Sequence, residues 1–217
     1  PLSSGLLPEW KAGVSIDSMF VEWGAGVKTN RDGLATGLSR QEVESQIRAF
    51  ADLQRSDQDV ERAFSFASNY QWKTEVVRRK FAKEGFQASL VERYAHRPFD
   101  VRFIYWHPAV VFNMRGRKME CFRSGAPPLA LLFARNTTKE SYTNFFVTRW
   151  ITDIHCLETM NVAPLYVREP GLFDATVLDP ATTALPNLSG PFISDLASRL
   201  GLPVGGRAGL PAGIGAE

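Results

Sequence analysis

The spacing of apolar side chains predicts helices in the first part of the chain. After Ser39, the residues Val43, Ile47 and Phe50 recur at helical spacing, and Glu42 completes a capping box with Ser39. Segments 56–66 and 74–84 follow the same pattern, with acidic residues in the first turn of the former and a glycine closing the latter. We therefore expect three helices before residue 85, and a strand at 15–23 (SIDSMFVEW) that leads into a glycine-rich loop.

Beyond residue 89 the pattern changes to short apolar or alternating runs separated by Pro, Gly and Asn, which is typical of strands. These runs are RFIYW, PAVVFNM, PLALLFARN, NFFVTRWIT and APLYV. A last helix is predicted in ISDLASRLGL, with Ser189 near its start. The expected fold class is α+β, with a helical N-terminal part followed by a mixed, mainly antiparallel sheet.

Composition sets the broad class and the domain organisation. A hydrophobic content of 44% suits a globular domain, and no apolar run approaches the ~18 residues of a membrane span. The two cysteines, Cys121 and Cys156, are too few for a disulfide framework, so we expect a cytoplasmic protein. We interpret 1–14 as a linker from an upstream region, 15–200 as one domain, and 201–217 as a flexible tail rich in Gly, Ala and Pro.

Charge is distributed unevenly along the chain. Residues 71–135 carry 13 basic and 5 acidic side chains, a net charge of +8, whereas the segments on either side each have a net charge of −3. Such a block is typical of a surface that meets a polyanion, because Lys and Arg neutralise phosphates. The alternative is a solvated helix face, and charge alone leaves both open.

Catalytic and metal-binding patterns are absent from the sequence. The three histidines, His96, His107 and His155, lack the paired spacing of zinc ligands, and no nucleophile elbow, phosphate-binding loop or HExxH motif occurs. Asp100 lies between Arg97 and Arg102, where alternate strand residues share a face, so we expect a structural ion pair there. The sequence predicts no catalytic residue and no metal site.

Basic loop residues are the candidates for contact with nucleic acid. Arginine can bind phosphate or guanine, and asparagine can pair with adenine. For each residue, a solvated surface position is the alternative. The candidates, from the loop at 24–33, the connection at 113–124 and the loop at 135–144, are Lys28, Arg31, Arg115, Arg117, Lys118, Arg123, Arg135, Asn136 and Lys139.

The order of several short blocks resembles the C-terminal target-recognition region of type ISP single-polypeptide restriction–modification enzymes and related adenine-N6 DNA methyltransferases. The blocks are GVKTNRD at 26–32, YAHRPFDVRFIYW at 94–106, FFVTRW at 145–150, APLYV at 163–167 and NLS at 187–189. The resemblance covers about 15–200. His96 and Asn30 depart from the family's pattern.

The resemblance implies a domain that recognises specific sequences in double-stranded DNA, severed from its catalytic partners. The family's [N/D]PP[Y/F] motif and its glycine-rich loop for S-adenosylmethionine do not occur here. This chain is accordingly expected to be no enzyme and to hold no cofactor, while the parent would bind S-adenosylmethionine in an upstream methyltransferase domain and could also cleave DNA. The alternative function is an inter-domain or protein-interaction module without direct base contact.

Overall fold

The computed structural model describes residues 13–123, 128–134, 145–168 and 184–203. Residues 1–12 of the predicted linker and 204–217 of the predicted tail therefore lie outside the described residues. The described helices are α1 (Ile16–Met19), α2 (Asp32–Ala35), α3 (Arg40–Ala51), α4 (Asp57–Ala63), α5 (Thr74–Glu84), α6 (Arg117–Glu120) and α7 (Gly190–Leu200). The described strands are β1 (Gly24–Ala25), β2 (Thr36–Gly37), β3 (Val91–Arg97), β4 (Asp100–Tyr105), β5 (Ala130–Ala134), β6 (Phe145–Thr148), β7 (Ile151–Thr152), β8 (Met160–Pro164), β9 (Tyr166–Arg168) and β10 (Ala184–Pro186).

The main helices form where the apolar spacing predicts them. At the start of α3 the Ser39 hydroxyl accepts the Glu42 amide at 3.0 Å, and the Glu42 carboxylate accepts the Leu38 amide at 2.6 Å. The inward face of α3 consists of Val43, Ile47 and Phe50, all buried. Helix α5 ends at Gly85, whose φ of +73° a residue with a side chain rarely adopts.

Two sheets and one short ribbon make up the β part of the described chain. The first sheet has the order β1-β8-β5-β6 and is antiparallel throughout. The second has the order β2-β4-β3-β7, in which only the β3–β7 pair is parallel. Strands β9 and β10 form an antiparallel ribbon. The predicted α+β class with a mixed, mainly antiparallel sheet is confirmed.

Two predicted strands are wrong. Segment 15–23 forms the helical turn α1 because Ile16, Met19 and Phe20 are spaced to share one face, and they pack as a group on the first sheet. Segment 108–114 is a turn followed by a single bridge between Asn113 and Lys28. Another run, NFFVTRWIT, divides into β6 and β7, which belong to different sheets.

The segment YAHRPFDVRFIYWHP forms a hairpin rather than a single strand. The chain reverses at Pro98 and Phe99, so that β3 pairs with β4 over most of their length. Phe99 occupies the turn with a φ of +63°, and 97% of its surface is exposed. Phe99 therefore lies outside both strands, and the regular alternation of side chains begins only at Asp100.

One arginine of the basic block is a core residue. Arg78 on α5 is 2% exposed and donates to the carbonyls of Phe50, Asp52 and Arg55 and to the carboxylate of Asp57. It closes the end of α3 against the start of α4. Part of the +8 charge is thus used inside the fold and is not available to a ligand.

Candidate nucleic-acid interface

Two loops that lie far apart in the sequence meet at the edge of the second sheet. The Lys28 amide donates to the Asn113 carbonyl at 3.1 Å, and the Asn113 amide donates to the Lys28 carbonyl at 2.8 Å. Val27 pairs in parallel with Asp153, which directly follows β7. The loop at 24–33 therefore lies next to the end of β7 and extends the second sheet at that edge. The connection after residue 112 pairs with this loop and adds a further layer to the same edge.

Arg115 is fixed to this junction by its backbone and its side chain. Its amide donates to the Asn113 side chain at 3.2 Å, and its Nε donates to the Gly26 carbonyl at 3.0 Å. Its φ of +62° and the φ of +49° at Gly116 turn the chain sharply here. A side chain at position 26 would meet the Thr152 carbonyl at 2.8 Å, so only glycine allows this close approach.

Two more of the predicted cations reach the same junction. Arg117 forms an ion pair of 2.7 Å with Glu22, which precedes β1. The Lys118 side chain lies over Gly24, with its Cε 3.3 Å from the place of a Cβ there. We call Lys28, Arg115, Arg117 and Lys118 the cation loop cluster. The structure thus brings four of the nine predicted contact residues together.

The other predicted contact residues do not join the cation loop cluster. Arg31 is 5% exposed, and its guanidinium carbon lies 3.9 Å from the centre of the Trp72 ring. Arg123 pairs with Glu92 at 2.8 Å and with Glu120 at 3.4 Å. Arg135, Asn136 and Lys139 lie outside the described residues. The DNA contacts of these five residues stay predictions, and the burial of Arg31 gives it a packing role in the fold.

Asp153 links the cation loop cluster to the β3–β4 hairpin, a role that the sequence gave no sign of. The residue is 4% exposed and accepts hydrogen bonds from the Tyr94 hydroxyl and, at 3.3 Å, from Arg97. Its amide donates to the Ala95 carbonyl at 3.0 Å. Burial, together with the Asp153 charge, raises the pKa of Tyr94, so this hydroxyl remains a donor.

The predicted ion pair of Asp100 and Arg102 is present at the base of the hairpin turn. The Arg102 Nη2 lies 2.8 Å from Asp100 Oδ2, and its Nε donates to both carboxylate oxygens. The hydrogen bond from Arg102 lowers the pKa of Asp100, with desolvation opposing it. Asp100 is therefore held ionised by its partner, which is the structural role expected for it.

His107 and Cys121 have packing roles in the described chain. His107 stacks on Tyr105, contacts the tilted ring of Phe81, and accepts the Ala109 amide at its Nδ1, 3.0 Å away. Burial lowers the pKa of His107 and raises that of the Cys121 thiol to about 12. Within 13–123, 128–134, 145–168 and 184–203, His, Cys, Asp and Glu side chains form no group of three that could hold a metal ion.

Comparison with known proteins identifies the family. The model of the family "Type ISP C-terminal specificity domain" matches residues 18–208. The chain belongs to this family. The resemblance inferred from the sequence blocks is thereby confirmed, and the fold is that of a specificity domain of restriction–modification enzymes. No curated protein matches the chain.

Solved structures of large enzymes contain the same fold. The DrdV–DNA complex is 16% identical with a TM-score of 0.58, over 84% of this chain and 18% of that chain. A nuclease-deletion mutant of the Type ISP restriction–modification enzyme LlaGI with a DNA substrate mimic is 17% identical with a TM-score of 0.53, over 81% and 17%. The ATP-dependent Type ISP enzyme LlaBIII bound to DNA is 14% identical with a TM-score of 0.60, over 84% and 12%. The chain spans less than a fifth of the length of each.

Among the described residues, none of the helices combines the length and the apolar character that crossing a bilayer requires.

Proposed function

We propose that this domain recognises specific sequences in double-stranded DNA, as the specificity part of a larger restriction–modification or adenine-N6 methyltransferase polypeptide. The observation that carries the proposal is the convergence of the cation loop cluster from two distant segments onto one edge of a sheet. The family supports it, as do the structures of DrdV, LlaGI and LlaBIII, which are complexes with DNA or a DNA substrate mimic. S-adenosylmethionine would bind in the methyltransferase part upstream of this domain.

Arg115 is the best candidate for reading a base. Its Nε is held by the Gly26 carbonyl, and its two terminal nitrogens make no hydrogen bond to any residue of the described chain. A guanidinium fixed at one nitrogen presents the other two as a fork, the geometry that pairs with O6 and N7 of guanine in the major groove.

Lys28 and Lys118 suit phosphate contact. Lys28 is exposed, and in the part of the chain that the structure describes it forms no ion pair. A flexible ammonium group binds a phosphate as a point charge and carries little base information. Arg117 is already paired with Glu22, so its contribution to DNA affinity is smaller than theirs.

A binding selection from a randomised duplex pool tests this assignment with the full-length polypeptide. The wild type is expected to enrich one motif. Arg115→Ala should lose the preference at one base pair of that motif and keep the rest, whereas Lys28→Ala should weaken binding to all sequences about equally. Arg62→Ala is the matched control, because Arg62 is exposed and paired with Asp59 on α4. No enriched motif, or identical selections from all variants, contradicts the proposal.

An apolar cleft favours a second function, docking of the upstream part of the polypeptide without base contact. The cleft has a volume of about 430 Å³ and lies between the hairpin turn and β6. The exposed Phe99 and Val147 contribute to its lining, and exposed apolar groups of this kind mark protein interfaces. The salt dependence of binding separates the two functions. The affinity for DNA falls steeply as the salt concentration rises, whereas the affinity of an apolar protein interface does not.

A further inference from the structure

A row of arginine and aromatic side chains crosses the exposed part of the second sheet. The guanidinium carbon of Arg93 lies 5.0 Å from the centre of the Phe103 ring and 5.5 Å from that of Trp150. Arg40, the first residue of α3, reaches the same Phe103 ring at 5.3 Å. We call Arg40, Phe103, Arg93 and Trp150 the arginine–aromatic row.

Sheet register assembles this row from four separate parts of the chain. Arg93 on β3 stands directly opposite Phe103 on β4, so their side chains share one face. Trp150 precedes β7, which pairs in parallel with β3 through Tyr94 and Ile151. The row therefore crosses β4 and β3, with Trp150 just before β7 at one end and the N-terminus of α3 at the other.

The arginines of the row carry charge that the described chain does not neutralise. Arg40 and Arg93 are exposed, and neither forms an ion pair with a carboxylate among the described residues. Arg149, beside Trp150, is also exposed and, within the same ranges, unpaired. By contrast Arg48, which lies 5.5 Å from the Phe86 ring, pairs with Glu44 at 2.7 Å.

Stacking on a ring prepares a guanidinium group for a phosphate. A guanidinium over an aromatic ring loses side-chain freedom before a ligand binds, which lowers the entropy cost of binding. Its nitrogens still point outward in the planar fork that matches phosphate oxygens. Two such uncompensated groups on one face, Arg40 and Arg93, fit a ligand with several negative charges, and the DNA backbone is such a ligand.

We propose that the arginine–aromatic row is a second DNA contact, in which Arg40 and Arg93 bind backbone phosphates. It is separate from the cation loop cluster and adds affinity without reading sequence, because phosphate contacts position the protein and base contacts specify the site. The inference rests on the proposed function, in that the DNA bound at the cation loop cluster would continue across the row.

Salt-dependent binding of a labelled random-sequence duplex to the full-length polypeptide tests the row. Arg40→Gln and Arg93→Gln remove the charge but keep a planar group over Phe103. Each is expected to weaken binding about fivefold and to reduce the slope of log K against log salt by about 0.9, one phosphate contact. The selected DNA motif should not change. Arg93→Lys should restore most of the slope, and Arg48→Gln, the matched control, should leave both quantities as in the wild type.

The outcomes separate this inference from the proposed function. Unchanged slopes for Arg40→Gln and Arg93→Gln, with weaker binding by Lys28→Ala, overturn the row as a DNA contact and leave the proposed function standing. If Lys28→Ala and Arg115→Ala also bind normally, the proposed function itself fails. If Arg40→Gln or Arg93→Gln weakens association with the upstream part of the polypeptide but leaves the salt slope unchanged, the row is a protein-docking surface, and its assignment as a DNA contact is overturned as well. Thermal melting of each variant confirms that the effects are not due to unfolding.

Discussion

The buried carboxylate of Asp153 accepts a hydrogen bond from the Tyr94 hydroxyl, and this bond joins the β3–β4 hairpin to the loop that carries Lys28. Both residues are almost fully buried, so the carboxylate depends on protein donors in place of water. The position of the cation loop cluster relative to the second sheet therefore depends on a contact in the core.

Removing the Tyr94 hydroxyl is expected to destabilise the fold. Tyr94→Phe leaves Asp153 with one donor fewer, and we expect the free energy of unfolding to fall by about 1–3 kcal/mol in urea titrations. Tyr70→Phe is the control, because Tyr70 is 86% exposed and should change nothing measurable. Equal stability of the two variants would contradict a structural role for the Tyr94–Asp153 bond.

Arg78 and its neighbour Arg79 should differ strongly although they are adjacent. Arg78→Ala leaves three carbonyls without the donor that now satisfies them, while Asp57, whose side chain is 40% exposed, can turn to water; we expect a loss of about 2–4 kcal/mol in the free energy of unfolding. Arg79 is exposed and, among the described residues, pairs with Glu75 alone, so Arg79→Ala should cost less than about 0.5 kcal/mol. Urea unfolding measures both, and similar losses would rule out the assignment of Arg78 to the core.

Relief of the backbone at Phe99 should stabilise the hairpin. A φ of +63° is unfavourable for phenylalanine, and its 97% exposed side chain gains nothing from burial. Phe99→Gly is expected to raise the free energy of unfolding by about 0.5–1 kcal/mol. Phe112 is also exposed but its φ is not positive, so Phe112→Gly should not stabilise. A stability loss in Phe99→Gly would show that the side chain makes favourable contacts in the folded state.

The free energy of unfolding should decrease as the pH is lowered below about 6.5, the ordinary pKa of histidine. Burial lowers the pKa values of His96 and His107 in the folded state relative to about 6.5 in the unfolded chain. Below pH ~6.5 the unfolded state therefore binds more protons than the folded state. The stability present above pH ~6.5 is lost as the pH falls through the pKa values of the folded state. His107→Gln should flatten this dependence in urea titrations at pH 8 and pH 5.5. An unchanged slope in that variant would mean that His107 is not among the groups responsible.

The local signals in the sequence predicted the positions of the main helices correctly, but they predicted strands at 15–23 and 108–114 where the structure has none. Ser39 with Glu42, and the apolar stripe of α3, specify a helix through contacts within a few residues, so no knowledge of the fold was needed. The prediction for segment 15–23 was wrong because Ile16, Met19 and Phe20 form one turn of a helix whose apolar face packs on β5 and β8, which lie far away in the sequence. Short apolar runs do not distinguish a strand from a helical turn.

Residue types and their order determined the fold class, the family and the candidate cations of this protein. The tertiary structure decided which cations act together. It buried Arg31 and Arg78, bonded Arg115 to Gly26 in the loop that carries Lys28, and set Arg93 between Phe103 and Trp150. The physical reason is that helix caps and apolar stripes act over a few residues. Sheet register, which brings charges from distant segments onto one surface, arises only when the whole core has packed.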